Sequence, residues 1–419
     1  MSITTPLVDA PRGLAGVVVA QTSIGDVLGA EGRYHYRGHD AIELARAGDF
    51  ESAWHLLVLG SIPDAEASAR FRARVASLRE LPPAVSEEID AVSACAKALD
   101  PLRGLQATLP LLAAARGAGA LYDLGDEERV DEALAVAAAA PGILARFHRA
   151  RTGIPLVGGT PRRDPGATAD GDTADHGAVA DHRLSAHHSP TASHSPTASR
   201  GAVADYLVQV TGREPEARAV RALSAYLIAT LDHGFNASTF TARVIASTGA
   251  DMASCVVGAL GALSGPLHGG APSRALDALD AVEGSSGSAT SGSIEAFIRG
   301  ELSAGRRLMG FGHAVYRTVD PRSRLLKQVA LEFGGPRVEL ALEYEETAQR
   351  LLNEYKPGRE LHTNVEFYAA VVLEQCGIPR EMFTPTFAMA RVVGWSAHVL
   401  EQARDTKIIR PSSRYVAAA

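Results

Sequence analysis

The sequence predicts an all-α protein. Alanine, leucine and arginine dominate, apolar residues recur at helical spacing in several segments, and the alternation of a half-buried strand is scarce. Taken in order, the best strand candidate is the short run Val17 to Thr22 near the N-terminus. Ser52 to Leu59 and Ala217 to Leu231 carry the helical period. A further helix is expected to begin at Pro272, just behind His268-Gly269-Gly270. Asp320 can cap the next, Pro321 suits its first position, and Ser323 to Phe333 reads helical before the Gly334-Gly335 stop. Val365 to Glu374 and Thr386 to Gln402 close the series.

Two polar stretches interrupt it. From about Gly158 to Arg200 the chain turns to Gly, Pro, Ser, Thr, Asp and His, too few large apolar residues to offset its ordering entropy, so a disordered insertion is expected. The segment repeats itself: Ser189 to Ser193 recurs as Ser195 to Ser199, and Gly177 to Asp181 recurs as Gly201 to Asp205. Its five histidines (His176, His182, His187, His188 and His194) leave weak metal binding open. Gly284 to Ser293 reads as a loop between two helices.

Composition narrows the function. A chain of 419 residues, 46% hydrophobic and 21% charged, has material for a large core. A formal charge of -7 and the lack of a long Lys/Arg cluster argue against nucleic acid, so anionic ligands must meet local arginines. Cys95, Cys255 and Cys376 form neither a CxxC pair nor a zinc spacing, which points to buried thiols in a reducing compartment. Neither a signal peptide nor a membrane span is expected, so the expected location is cytoplasmic.

The chemistry concentrates around Met309-Gly310-Phe311-Gly312-His313-Ala314-Val315-Tyr316-Arg317-Thr318-Val319-Asp320-Pro321-Arg322. Arg322 falls in a first helical turn, where the helix dipole disfavours a cation. An anion held by both Arg322 and the free helix N–H groups answers that objection, with a solvated surface arginine as the alternative.

This stretch closely resembles the signature of citrate synthase. Three more segments match the family in order: Leu231-Asp232-His233-Gly234-Phe235-Asn236-Ala237-Ser238-Thr239, Ser264-Gly265-Pro266-Leu267-His268-Gly269-Gly270, and Asn364-Val365-Glu366-Phe367-Tyr368. Flanks from Gly13 to Asp40 and from Met382 to Trp395 match as well. The resemblance implies a large helical domain (1–270 and 377–419), a smaller inserted helical domain (271–376), and an active-site cleft between them whose closure assembles the site.

It also implies condensation of acetyl-CoA with oxaloacetate to citrate and free CoA through citryl-CoA. That reaction needs a base for a weakly acidic methyl group, a donor for the thioester oxygen, an acid for the keto oxygen, and cations for the carboxylates. By resemblance, His268 holds the acetyl-CoA carbonyl, His313 donates to the keto oxygen, and His233 contacts oxaloacetate. On their own, His268 reads as a packed or capping residue and His233 as a loop histidine. Arg322, Arg391 and Arg410 match the carboxylate-binding positions, where planar guanidinium groups bind in two-pronged fashion. Arg391 shares a helix face with Trp395 and His398, so a partly buried salt bridge is its alternative explanation. Arg410 belongs to a C-terminal tail that in relatives enters the other subunit's site, so a homodimer is expected. Arg317 resembles a contact to CoA phosphate, with an exposed arginine of no special role as the alternative. No cofactor or metal is implied, because acetyl-CoA is a substrate.

Glu366 departs from the family, which has aspartate there. The extra methylene moves the carboxylate by about 1 Å, a shift that costs about a hundredfold in rate unless the backbone compensates. Three other readings remain: a 2-methylcitrate synthase using propionyl-CoA, citryl-CoA cleavage, and a non-catalytic relative that binds CoA or oxaloacetate. One methylene in the acyl chain is worth only about 1–3 kcal/mol, so motifs do not separate the first from the leading reading.

Overall fold

The computed structural model describes residues 7–95, 99–155, 200–266, 268, 272–284, 291–313, 315, 316, 318–359, 361–405 and 407–417. The expected insertion, apart from Arg200, and Arg317 both lie outside the described residues.

Near the N-terminus an antiparallel sheet joins β1 (Gly25–Leu28), β2 (Arg33–Tyr36) and β3 (His39–Asp40), with Gly25 opposite Tyr36 and His35 opposite Asp40. The expected strand at Val17 to Thr22 is not formed. Val17 and Val18 are 41% and 83% exposed, and the Val17 N–H closes a turn on the Leu14 carbonyl. The pattern that matters lies further on, where Tyr34 and Tyr36 alternate with Arg33 and His35 and send both rings into the core.

Helices make up most of the other described residues. They are α1 (Ala41–Ala47), α2 (Phe50–Leu59), α3 (Ala65–Leu78), α4 (Pro83–Cys95), α5 (Pro101–Arg116), α6 (Asp126–Thr152), α7 (Ala202–Thr211) and α8 (Ala217–Ala229). There follow α9 (Ala237–Ala246), α10 (Met252–Leu263), α11 (Pro272–Gly284), α12 (Ser291–Ser303), α13 (Pro321–Phe333), α14 (Pro336–Tyr355), α15 (Val365–Gln375) and α16 (Phe383–Gln402). The expected loop at Gly284 to Ser293 is shorter than its composition suggested, because α12 already begins at Ser291. Asp or Asn side chains cap α1, α2, α3, α5, α9, α10, α13 and α15 by accepting first-turn N–H groups. Each such cap stabilises its helix by about 1 kcal/mol.

Buried along nearly its whole length, α16 packs on α6, α9, α10, α2 and α8. A helix this apolar on all sides belongs at the centre of a core. Further along the chain α11 and α13 pack on α15, α12 packs on α14, and α8 reaches both α13 and α15. Gly394 sets one critical distance, since a Cβ there would lie 2.1 Å from the Leu231 carbonyl oxygen. Its bare backbone lets the turn after α8 rest directly on α16.

Cys255 and Cys376 are buried as expected, whereas Cys95, at the end of α4, is exposed. Among the described residues no helix is long and apolar enough to cross a membrane.

Candidate active site

The turn after α8 is held from three sides. Tyr34 and Tyr36 hydroxyls donate to the carbonyls of Ala229 and Ile228 at 2.9 Å, satisfying acceptors that the helix end leaves open. Asp232 accepts from the Gly234 N–H at 3.2 Å and faces His398 Nε2 at 3.2 Å. The other ring nitrogen of His398 lies 3.2 Å from Arg243 Nη1, which can only donate, so His398 carries its proton on Nε2. His233, next in sequence, is thereby aimed at the Tyr316 hydroxyl, 2.9 Å from its Nε2.

Asn236 caps α9, accepting from Thr239 N at 3.0 Å and from Ser238 Oγ at 2.7 Å. With its only proton so placed, Ser238 Oγ can only accept from Trp395 Nε1 at 3.2 Å and from His268 Nε2 at 2.9 Å. Ser238 therefore fixes the His268 tautomer, with the proton on Nε2.

His313 is fixed by its backbone. Its Nδ1 accepts from the N–H groups of Val315 and Tyr316 at 3.0 and 3.1 Å, so Nε2 bears the proton of the neutral ring. Arg322 Nη2, another donor, lies 3.2 Å from that same Nε2. Two donors directed at one region call for an acceptor, which a carbonyl or carboxylate oxygen would provide. Arg322 is buried rather than solvated, and it grips Asp320 through Nε and Nη2 at 3.0 and 2.8 Å.

Asp320 also accepts from the Val365 N–H at 3.1 Å, which ties the start of α13 to the start of α15. Main-chain bonds lace the same region together: Gly312 N to His362 O at 2.8 Å and Asn364 N to Gly310 O at 2.9 Å. Close approach requires Gly310, with φ at 83° and a hypothetical Cβ 2.9 Å from Phe367 Cβ. Glu366 then sits in the first turn of α15, its N–H capped by Asn364 Oδ1 at 3.0 Å.

Burial dominates the electrostatics. It pushes the Glu366 carboxyl up to about 7 against the opposing pull of Arg322. Burial and then Arg322 bring His313 down to about 4, and burial followed by Arg391 lowers His268. His233 is held well below the usual histidine range by burial, Arg322 and Arg391. All three imidazoles are thus neutral donors or acceptors near pH 7. For Arg322, burial is outweighed by Asp320, and its pKa is raised.

His233, His268, His313, Arg322, Glu366 and Arg391 line one cavity of about 180 Å³. The salt bridge that could have explained Arg391 is not formed among the described residues: its Nε and Nη1 have no hydrogen-bond partner, and its guanidinium lies over Phe387 at 4.6 Å. A second cavity of about 340 Å³ meets the first at Asn364 and Glu366 and carries Arg306, Arg307, Lys356 and Arg359. Arg410 is exposed and does not line the first cavity of its own chain. Among the described residues no group of three or more His, Cys, Asp or Glu is arranged to hold a metal ion.

Sequence reasoning missed Tyr316, Ser238 and Asn364 as parts of the site. Their signal was position alone, each lying inside a motif that drew attention to its histidine or acid.

A family model described as citrate synthase, C-terminal domain, matches residues 13–412. The putative citrate synthase 2 of Mycobacterium tuberculosis is 50% identical over 203 residues, 48% of this chain and 53% of that relative, so the chain spans about half the length of that curated relative. The 2-methylcitrate synthase of Shewanella oneidensis is 31% identical over 96% of this chain and 94% of the other. The crystal structure of citrate synthase from Thermotoga maritima superposes with a TM-score of 0.74 at 32% identity, covering 96% of this chain and 94% of that one. With a match that leaves only the two ends uncovered and the same all-α architecture in a structural neighbour, this chain belongs to the citrate synthase family.

Proposed function

We propose that the protein condenses acetyl-CoA with oxaloacetate and hydrolyses the resulting citryl-CoA to citrate and CoA. The observation that carries this reading is the meeting of Glu366, its carboxyl near 7, with neutral His268 and His313 and the cations Arg322 and Arg391 in one cavity. Glu366 takes a proton from the acetyl methyl group. His268 exchanges Ser238 for the thioester oxygen and donates its Nε2 proton as that oxygen becomes enolate-like. The methyl carbon then attacks the keto carbon of oxaloacetate, whose oxygen receives the Nε2 proton of His313. Water cleaves the thioester and releases CoA.

Arg322 and Arg391 hold the carboxylates, with His233 as a further oxaloacetate contact. The four cations of the adjoining cavity suit the phosphate-bearing arm of CoA, and Arg317 belongs to the same task. Cleft closure brings the segment 271–376, which carries His313 and Glu366, against the body built from 1–270 and 377–419. In a cytoplasmic homodimer Arg410 serves the partner's site. No metal or separate cofactor enters the scheme.

The 31% identity to a 2-methylcitrate synthase supports a second reading with propionyl-CoA as donor. Free CoA released from acetyl-CoA and from propionyl-CoA, each with and without oxaloacetate, tests both. The primary reading requires oxaloacetate-dependent release that is faster with acetyl-CoA. Faster release with propionyl-CoA favours the second, and release with neither leaves the non-catalytic alternative.

A further inference from the structure

Among the described residues that line the main cavity, three buried side-chain polar atoms have no hydrogen-bond partner: Arg391 Nε, Arg391 Nη1 and Tyr226 Oη. The arginine is accounted for by its proposed carboxylate. Tyr226 is not. It occupies the last turn of α8 and is 1% exposed.

Several polar groups of the cavity are engaged elsewhere, while the Glu366 carboxylate, whose charge also acts on the Tyr226 phenol, makes no hydrogen bond to it. Thr230 Oγ1 donates to the Tyr226 carbonyl at 2.8 Å, Asn236 Oδ1 accepts from Ser238 and Thr239, and Asn364 donates to the Gly312 carbonyl at 3.0 Å. Leaving a buried hydroxyl unpaired costs about 1–3 kcal/mol, and a phenylalanine of the same shape would avoid that cost. The hydroxyl is therefore positioned for a group that arrives with a ligand.

That group must be an acceptor. Burial raises the phenol pKa, so the oxygen keeps its proton at neutral pH and donates. Arg391 presents only donors. The cavity holding Arg306, Arg307, Lys356 and Arg359 is lined by neither Tyr226 nor Arg391, so the ligand group they share is not the phosphate-bearing arm. A carboxylate has two oxygens and about four lone-pair sites, enough for a two-pronged guanidinium and one phenol together.

We propose that Tyr226 is a substrate-binding residue that, together with Arg391, holds one carboxylate of the 2-oxo dicarboxylic acid in the main cavity. This rests on the proposed function only in taking such an acid to be the ligand there.

Tyr226→Phe removes the hydroxyl and keeps the ring. Tyr344→Phe is the control, because the Tyr344 hydroxyl is also buried without a partner yet lines neither cavity. Calorimetric titration of the full chain with oxaloacetate, together with steady-state kinetics, reads the effect. Tyr226→Phe should weaken oxaloacetate affinity and raise its KM roughly ten- to hundredfold, the loss of one hydrogen bond to a charged group. The KM for acetyl-CoA should hold, and the melting temperature of the free protein should stay level or rise. Tyr344→Phe should change neither affinity nor KM. Unchanged oxaloacetate affinity in Tyr226→Phe, with an active wild type, overturns the inference and leaves the proposed function standing. A loss confined to kcat, or a shifted pH profile at constant affinity, overturns it too, since the phenol would then serve Glu366. A wild type that binds no oxaloacetate sinks both.

Discussion

Asp320 receives Arg322 through both carboxylate oxygens, at 3.0 and 2.8 Å, while both side chains stay buried. The pair is also a joint, because Asp320 caps α13 through Arg322 N and accepts from Val365 N at the head of α15. Arg322 keeps Nη2 beside His313. Orientation of the cation and of two helices thus depends on one carboxylate.

Asp320→Ala should therefore be severe. It strands a buried guanidinium and removes a cap, and breaking one side of a buried pair costs about 3–5 kcal/mol. Denaturant unfolding should show a loss of that size. Asp320→Asn retains the capping oxygen and should lose distinctly less.

Glu366→Gln keeps size but cannot accept a methyl proton. Turnover should fall by about a hundred- to ten-thousandfold with oxaloacetate affinity nearly unchanged. Condensation and methyl-proton exchange at the wild-type rate would remove Glu366 from the mechanism. Glu366→Asp should keep activity within about tenfold of wild type, because main-chain bonds fix the start of α15. A loss of about a hundredfold or more would mean that the backbone has moved to suit the longer acid.

The Glu366 carboxyl near 7 has two pH signatures. As a base it must be ionised, so the rate should climb as pH rises through about 7. Stability runs the other way: between about 4.5 and 7 the folded state binds the extra proton, so folding stability declines as pH rises through that window. The full difference is about 3 kcal/mol. Glu366→Gln should melt above wild type at pH 8 and level with it at pH 4. Matching melting curves at both pH values would contradict the raised pKa.

Gly394→Ala places a Cβ 2.1 Å from the Leu231 carbonyl oxygen, where backbone on both sides resists movement. A loss of at least about 1–3 kcal/mol is expected from this overpacking. Oxaloacetate binding should weaken with it, since the displaced turn carries His233. A variant with wild-type melting and wild-type KM would show that the turn can slide along α16.

Arg410 predicts complementation. Mixed dimers of Arg410→Ala and His313→Ala chains should recover activity that neither parent has, because one of their two sites regains both residues. Mixtures no more active than the parents would place Arg410 in its own chain's chemistry or outside it.

The helical class was legible because caps and apolar period agree, as with Asp320 ahead of Pro321 and Ser323 to Phe333. The small sheet was not. Val17 and Val18 look apolar enough for a strand, but a strand needs a partner, and the partnered pattern was the tyrosine alternation of β2. Six proposed site residues converge on one cavity because each sits in a motif with glycines or a helix start beside it. Tyr226 carried no such mark, since a tyrosine inside an apolar helix reads as core until its hydroxyl is seen to lack a partner. Ser238 was equally silent: its part depends on Asn236, Trp395 and His268 meeting in space.

The lacing of Gly310 and Gly312 to Asn364 and His362 consists of two main-chain bonds and one from Asn364 Nδ2 to the Gly312 carbonyl, none of which involves the side chain of residue 366. Under the proposed mechanism, the acid at position 366 can therefore change length with no bond of this lacing broken, so the proposed base varies while the backbone that positions His313 is kept.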